Sequence, residues 1–149
     1  MKCKLAIIGG SGLYDLATTK NTEWIKIETP WGKTSDDILR CEINDKIIHF
    51  LPRHNRKHNI SPSNINYRAN IYALKTLGIT DIISVSAVGS LRESLPPGKF
   101  VLVDQFIDRT YLRKKTFFDD DLVAHVSMAH PISTDLMNIC ESALKKTDI

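Results

Sequence analysis

Apolar positions in this chain come in short runs separated by turn residues. A run from Lys4 to Ile8 ends in Gly9-Gly10-Ser11-Gly12, which predicts a buried strand feeding a tight glycine turn. Glu23 to Thr29 alternates, with Trp24, Ile25 and Ile27 set among charges, until Pro30-Trp31-Gly32 breaks it. Ile38 to Ile43 and Lys46 to Leu51 flank Asn44-Asp45 and predict a hairpin with a two-residue turn. Pro52 to Pro62 is polar, basic and rich in turn residues. Ile65, Ala69, Tyr72, Ala73 and Leu77 then recur at helical spacing, so a helix is expected over 64–77, with Ser63 as its cap and Gly78 as its stop. Asp81 to Ser86 is β-branched and reads as a central strand. Lys99 to Ile107, after Pro96-Pro97-Gly98, reads as another. Ser133 opens a second helix running to about Lys146. Strands alternating with helices predict an α/β fold, a mixed and largely parallel central sheet flanked by helices. The alternation calls for another strand after Lys146, so the sequence reads as if cut before its sheet is complete.

Composition narrows the class. A length of 149 residues suits one domain. A hydrophobic fraction of 42% and a charged fraction of 25% are those of an ordinary globular chain, not a disordered or collagen-like one. No window approaches the ~18 apolar residues of a membrane helix, and the first apolar run ends too early for a signal peptide. A net charge of +3 is too mild to imply nucleic acid by itself. Cys3, Cys41 and Cys140 are odd in number, widely spaced and without a C-x-x-C, so neither zinc nor a disulfide framework is indicated. A reducing cytoplasm is the expected compartment.

Four segments carry candidate chemistry. Gly9-Gly10-Ser11-Gly12 lets backbone N–H groups approach an anion, with the Ser11 hydroxyl as a further donor; Asp15 stands where a dinucleotide fingerprint needs its last glycine. Arg53-His54-Asn55-Arg56-Lys57-His58 offers guanidinium forks suited to phosphate oxygens. No aromatic residue within it can stack a base, and its histidines lack the context of a metal pair, so neither a nucleic-acid patch nor a metal site is expected. Ser86-Ala87-Val88-Gly89-Ser90 ends a hydrophobic strand on the side where α/β sheets bind ligands. Asp104 and Asp108 are conceivable acids, although hydrogen bonding to Arg109 accounts for them better. The bland readings of the first three are a tight turn, a solvated basic loop and a strand-to-loop junction.

In order, Ile7-Ile8-Gly9-Gly10-Ser11-Gly12-Leu13, Pro52-Arg53-His54, Asn66-Tyr67-Arg68-Ala69-Asn70-Ile71, Ser86-Ala87-Val88-Gly89-Ser90-Leu91-Arg92-Glu93 and Asp104-Gln105-Phe106-Ile107-Asp108-Arg109-Thr110 resemble the trimeric purine nucleoside phosphorylases, and within them the S-methyl-5′-thioadenosine phosphorylase branch. The resemblance covers the N-terminal portion of the family's single domain. It implies a nucleoside-phosphorylase-like fold, and phosphorolysis of methylthioadenosine to adenine and 5-methylthioribose 1-phosphate in purine and methionine salvage. It implies a phosphate cradle of Ser11, Arg53, His54, Ser86 and Ala87. His125 matches the histidine that one subunit lends to its neighbour's 5′-substituent pocket. Inorganic phosphate is a co-substrate, no cofactor is implied, and the partners are the nucleoside, phosphate and like subunits in a trimer, with no nucleic acid or membrane. Asn55 replaces the glycine of many relatives. The family's purine-binding aspartate matches none of these motifs, so the catalytic acid is unassigned and the chain alone is expected to be inactive. A non-catalytic remnant that at most binds phosphate, or a related purine nucleoside or methylthioinosine phosphorylase, are the alternatives.

Overall fold

A computed structural model describes residues 4–10, 20–118 and 121–147. Its contacts divide the chain into two compact units, Met1–Ser86 with Leu112–Phe117, and Ala87–Tyr111 with Phe118–Ile149.

The first unit holds a five-stranded mixed sheet in the order β2-β3-β4-β1-β5. Its strands are β1 (Leu5–Gly9), β2 (Lys20–Ile25), β3 (Ile38–Ile43), β4 (Lys46–Pro52) and β5 (Asp81–Ser84). The parallel part is β4-β1-β5, with Ile8 opposite both Leu51 and Ser84. The antiparallel part is β2-β3-β4. The expected hairpin is there: Asn44 (φ 48°) and Asp45 (φ 59°) both take the left-handed conformation that a twisted two-residue connection demands.

Helix α1 (Tyr67–Thr76) lies between β4 and β5 in sequence, a crossover that steps over β1. It buries Ala69, Asn70, Ala73 and Leu74. Ala73 and Leu74 pack with Ala6, Ile38 and Leu51 as one core cluster, while Leu39, Cys41 and Phe50 form a second. The helix stop is as the sequence indicates. Gly78 sits at φ 74°, its N–H bonds the Lys75 carbonyl, and Ile79 N–H reaches back to Leu74 O, the two-bond closure typical of a glycine-terminated helix.

The start of α1 and the end of β2 differ from the sequence reading. The helix begins later than 64: Pro62–Asn64 forms a short 3-10 turn, Ile65 is extended, and Asn66 rather than Ser63 is the cap, its Oδ1 accepting from Ala69 N–H at 3.2 Å. The alternating stretch after Glu23 is strand only to Ile25, which pairs with Ile38, where β3 begins. Ile27 instead packs on the first core cluster.

In the second unit, α2 (Thr134–Leu144) starts on Ser133, whose hydroxyl accepts from Leu136 N–H. The strand expected over 99–107 is absent. Phe100, Val101 and Val103 are exposed there, and an apolar run becomes a strand only where another backbone pairs with it.

Candidate functional site

The parallel strands aim their carboxyl ends at one edge of the sheet, where β1 is flanked on both sides and chain direction diverges. This is the switch point at which open α/β sheets gather ligand groups. Arg53 leaves β4 there, its N–H bonded to Gly9 O of β1 at 2.9 Å, and Val85 leaves β5 with its N–H on Ile8 O. Two backbone bonds thus bring the Arg53-His54 pair and the Val85-Ser86 step together, although they lie far apart in sequence.

The Arg53 guanidinium is held on two sides. Nη1 donates to Val85 O at 3.3 Å and to Ser86 Oγ at 2.5 Å, and Nε donates to His54 Nε2 at 3.2 Å. His54 Nδ1 lies 2.8 Å from Ile60 O. A carbonyl oxygen only accepts, so Nδ1 carries the ring hydrogen and Nε2 is the lone pair that receives Arg53. Nη2 faces Gly10, where a Cβ would stand 3.7 Å away. Among the described residues Arg53 has no carboxylate partner; its charge meets neutral acceptors only. Arg53 and His54 are half-buried and Ser86 is exposed.

Arg56, three residues on, is spent differently. Asp36, whose side chain is only 4% exposed, accepts from Arg56 N–H at 2.7 Å, from Arg56 Nε at 3.1 and 3.0 Å and from Nη2 at 2.9 Å. Arg56 also covers the Trp24 ring at 3.8 Å. The basic loop is therefore one anchored arginine and one arginine without an acidic partner among the described residues. Asn55 turns between them at φ 68° and donates to Ser35 O.

Of the other expected residues, Ser11 lies outside the described residues. Ala87 follows Ser86 directly and opens the second unit; His125 is exposed in that unit. Asp108 Oδ1 accepts from the N–H and hydroxyl of Thr110, a local turn that fits a structural role. Cys41 is buried, and burial pushes its thiol above the ordinary value, the wrong direction for a nucleophile. No group of His, Cys, Asp and Glu suited to a metal occurs among the described residues. No helix among them is long and apolar enough to cross a membrane. A cavity of about 350 Å³ in the first unit, lined by Trp31, Tyr67, Arg68 and Arg113 among others, shares no lining residue with the Arg53 cluster. The Arg53 cluster is the candidate site, because its donors converge at the sheet edge where α/β folds bind ligands.

Sequence reading missed Asp36, Ser35 and Asn70. Asp36 has no signal; for Ser35 and Asn70 it is the pair of asparagines four apart in Asn66-Tyr67-Arg68-Ala69-Asn70. Both turn toward one segment: Asn66 Nδ2 donates to Trp31 O at 2.6 Å, while Asn70 accepts from Ser35 N–H and donates to Ser35 Oγ.

Residues 4–149 match the family model of the phosphorylase superfamily. The S-methyl-5′-thioadenosine phosphorylase of Rhodospirillum rubrum is 56% identical over 94% of this chain and 48% of its own length. That of Saccharolobus solfataricus is 51% identical over 99% of this chain and 55% of its own. Among solved structures, a methylthioadenosine phosphorylase from an antarctic soil metagenomic library superposes with a TM-score of 0.93 at 52% identity, covering 99% of this chain and 51% of that one. The Schistosoma mansoni methylthioadenosine phosphorylase in complex with adenine gives 0.92 at 40% identity, over 99% and 55%. The chain spans about half the length of the curated relatives it matches.

Proposed function

The chain belongs to the phosphorylase superfamily, and from that premise we propose that it supplies the phosphate-binding half of a site for phosphorolysis of S-methyl-5′-thioadenosine to adenine and 5-methylthioribose 1-phosphate. Residues 1–149 are then the N-terminal portion of a single nucleoside phosphorylase domain, working in the cytoplasm as a pentosyltransferase without a cofactor.

One observation carries the reading. Arg53 is a half-buried cation at the sheet's switch point, oriented by His54, Val85 O and Ser86 and neutralised by no acid among the described residues. Such a group is poised for a phosphate oxygen, with Ser86 Oγ beside it, and the family motif assigns Ala87 and Ser11 to the same anion. In the tautomer fixed by Ile60 O, His54 Nε2 has no hydrogen to give, so His54 orients Arg53 and contacts the anion itself only as imidazolium. In the reaction a phosphate oxygen bonds the anomeric carbon as the bond from that carbon to the purine nitrogen breaks. The bonding pair leaves with the purine, which takes up a proton. A dianion held against the cation developing on the sugar lowers the barrier by positioning and electrostatics. His125 is assigned to the 5′-substituent pocket of a neighbouring subunit, which makes the working form a homo-oligomer, a trimer.

Arg53→Ala tests the phosphate assignment by isothermal titration of the 149-residue chain with inorganic phosphate. Loss of a charge-assisted contact, worth about 1.5–3 kcal/mol, predicts at least a tenfold rise in the dissociation constant. Unchanged phosphate affinity in a folded variant would refute the site.

A further inference from the structure

We propose that Asp36 is the positioning residue of the phosphate loop, acting through Arg56 on the geometry of His54 and Arg53; this rests on the phosphate reading above. The loop after β4 is neither helix nor strand, and it contains two left-handed residues, Asn55 (φ 68°) and His58 (φ 52°). Its own bonds are short-range: Asn55 N–H to Pro52 O, His58 N–H to Asn55 O and Lys57 N–H to Asn55 Oδ1. These do not fix the loop against the rest of the molecule.

The fixing comes from the 35–36 step. Asp36 accepts four bonds from Arg56, one of them from its backbone, and its Oδ1 also takes Asp37 N–H at 2.8 Å. Ser35 O takes the Asn55 side chain at 3.1 Å. Ser35 is itself held on α1 by Asn70, whose side chain is buried with both ends satisfied. A rigid helix thus grips Ser35, and the Ser35-Asp36 step grips the loop on both sides of its turn.

The far end of the loop reaches the chemistry. Ile60 O accepts from His54 Nδ1–H, Ile60 N–H returns to His54 O, and His54 Nε2 receives Arg53 Nε. Releasing Arg56 frees the loop after Asn55, withdraws the Ile60 carbonyl and leaves His54 without the bond that selects its tautomer. Arg53 then loses one of the contacts that aim it. Site residues held by such outer partners depend on them nearly as much as on their own chemistry.

The test uses the 149-residue chain with labelled histidine nitrogens. Nitrogen–carbon-hydrogen correlations read the His54 tautomer, titration with inorganic phosphate reads affinity, and thermal unfolding reads stability. The variants are Asp36→Asn, Arg56→Gln and, as the charge-conserving form, Arg56→Lys. The expected result is a fixed Nδ1–H tautomer in the parent, an averaged tautomer in Asp36→Asn and Arg56→Gln, phosphate binding at least about tenfold weaker in both, and a partial return in Arg56→Lys. Native tautomer and native affinity in folded variants overturn the proposal, whatever happens to their melting temperature. A parent that binds no phosphate refutes the phosphate reading, and the tautomer comparison then decides the positioning role alone. Should Asp36→Asn not fold, Arg56→Gln decides, since the Arg56 side chain is 42% exposed.

Discussion

Arg53 and Arg56 stand three residues apart in one basic loop, yet only Arg56 has a carboxylate partner among the described residues. The difference is Asp36, which neutralises Arg56 inside the fold and leaves Arg53 with neutral acceptors. His49 is a second residue whose neighbours decide its behaviour. It is buried in β4 opposite Arg40, its Nδ1 has no hydrogen-bond partner among the described residues, and burial, then Arg40 and Lys4, hold its imidazole below the ordinary 6.5. The unfolded chain therefore binds a proton that the folded one refuses. His49 contributes stability above pH 6.5 that is lost as pH falls through the depressed folded value. Urea unfolding at about pH 7.5 and about pH 5.5 is expected to show a smaller acid loss in His49→Phe than in the parent. Equal losses would mean that His49 charges freely in the fold.

At the scale of elements, α1 does two jobs. Its Ala73 and Leu74 face complete a core cluster, and its first turn anchors the 31–35 segment through Asn66 and Asn70. Asn66 is both the cap and a donor to Trp31 O, so Asn66→Ala removes more than a cap. A stability loss of about 1–2 kcal/mol is expected from urea midpoints followed by circular dichroism. Ser133→Ala removes the matching cap of α2, a helix with no buried residue, and the main transition of the sheet is expected to stay in place. If the two variants shift it equally, α1 is not the anchor described.

For the whole molecule, exposed apolar side chains distinguish the two units. Leu91, Phe100, Val101, Ile107, Val123 and Val126 are all more than half exposed, and all belong to the second unit. Apolar surface at that density favours association. Sedimentation is expected to show oligomers at micromolar concentrations, and a stable monomer there would count against the assembly. The catalytic prediction is also made at this scale. Arg53, His54 and Ser86 lie in the first unit, and the chain spans about half the length of its curated relatives. A coupled assay for free purine is expected to find no phosphate-dependent cleavage of methylthioadenosine by residues 1–149. A chimera bearing the C-terminal half of the Rhodospirillum rubrum relative is expected to regain it, since general-acid help to a leaving base is worth about 10²–10⁴-fold. Turnover by the chain alone, within tenfold of that relative, would place the acid inside it.

The one-dimensional pattern was sufficient wherever structure depends on neighbours in sequence. The Asn44-Asp45 hairpin, the glycine stop of α1 at Gly78, the Ser133 cap and the β1 strand before Gly9-Gly10 all rest on local backbone chemistry, and local chemistry is written in adjacent residues. The family motifs likewise name Arg53, His54 and Ser86, and the fold brings those three together. Tertiary structure decided whatever needs a distant partner. Lys99 to Ile107 has the apolar, β-branched run of a strand, yet the structure forms no strand there. The strand begun at Lys20 ends at Ile25 because β3 starts opposite it. Asp36 gives no sign in sequence that it will capture Arg56 across 20 residues, or that Asn70 on α1 will hold the segment that does so. Hydrogen bonds and ion pairs between remote segments form only once burial has brought those segments together, so their partners are fixed by packing and not by spacing.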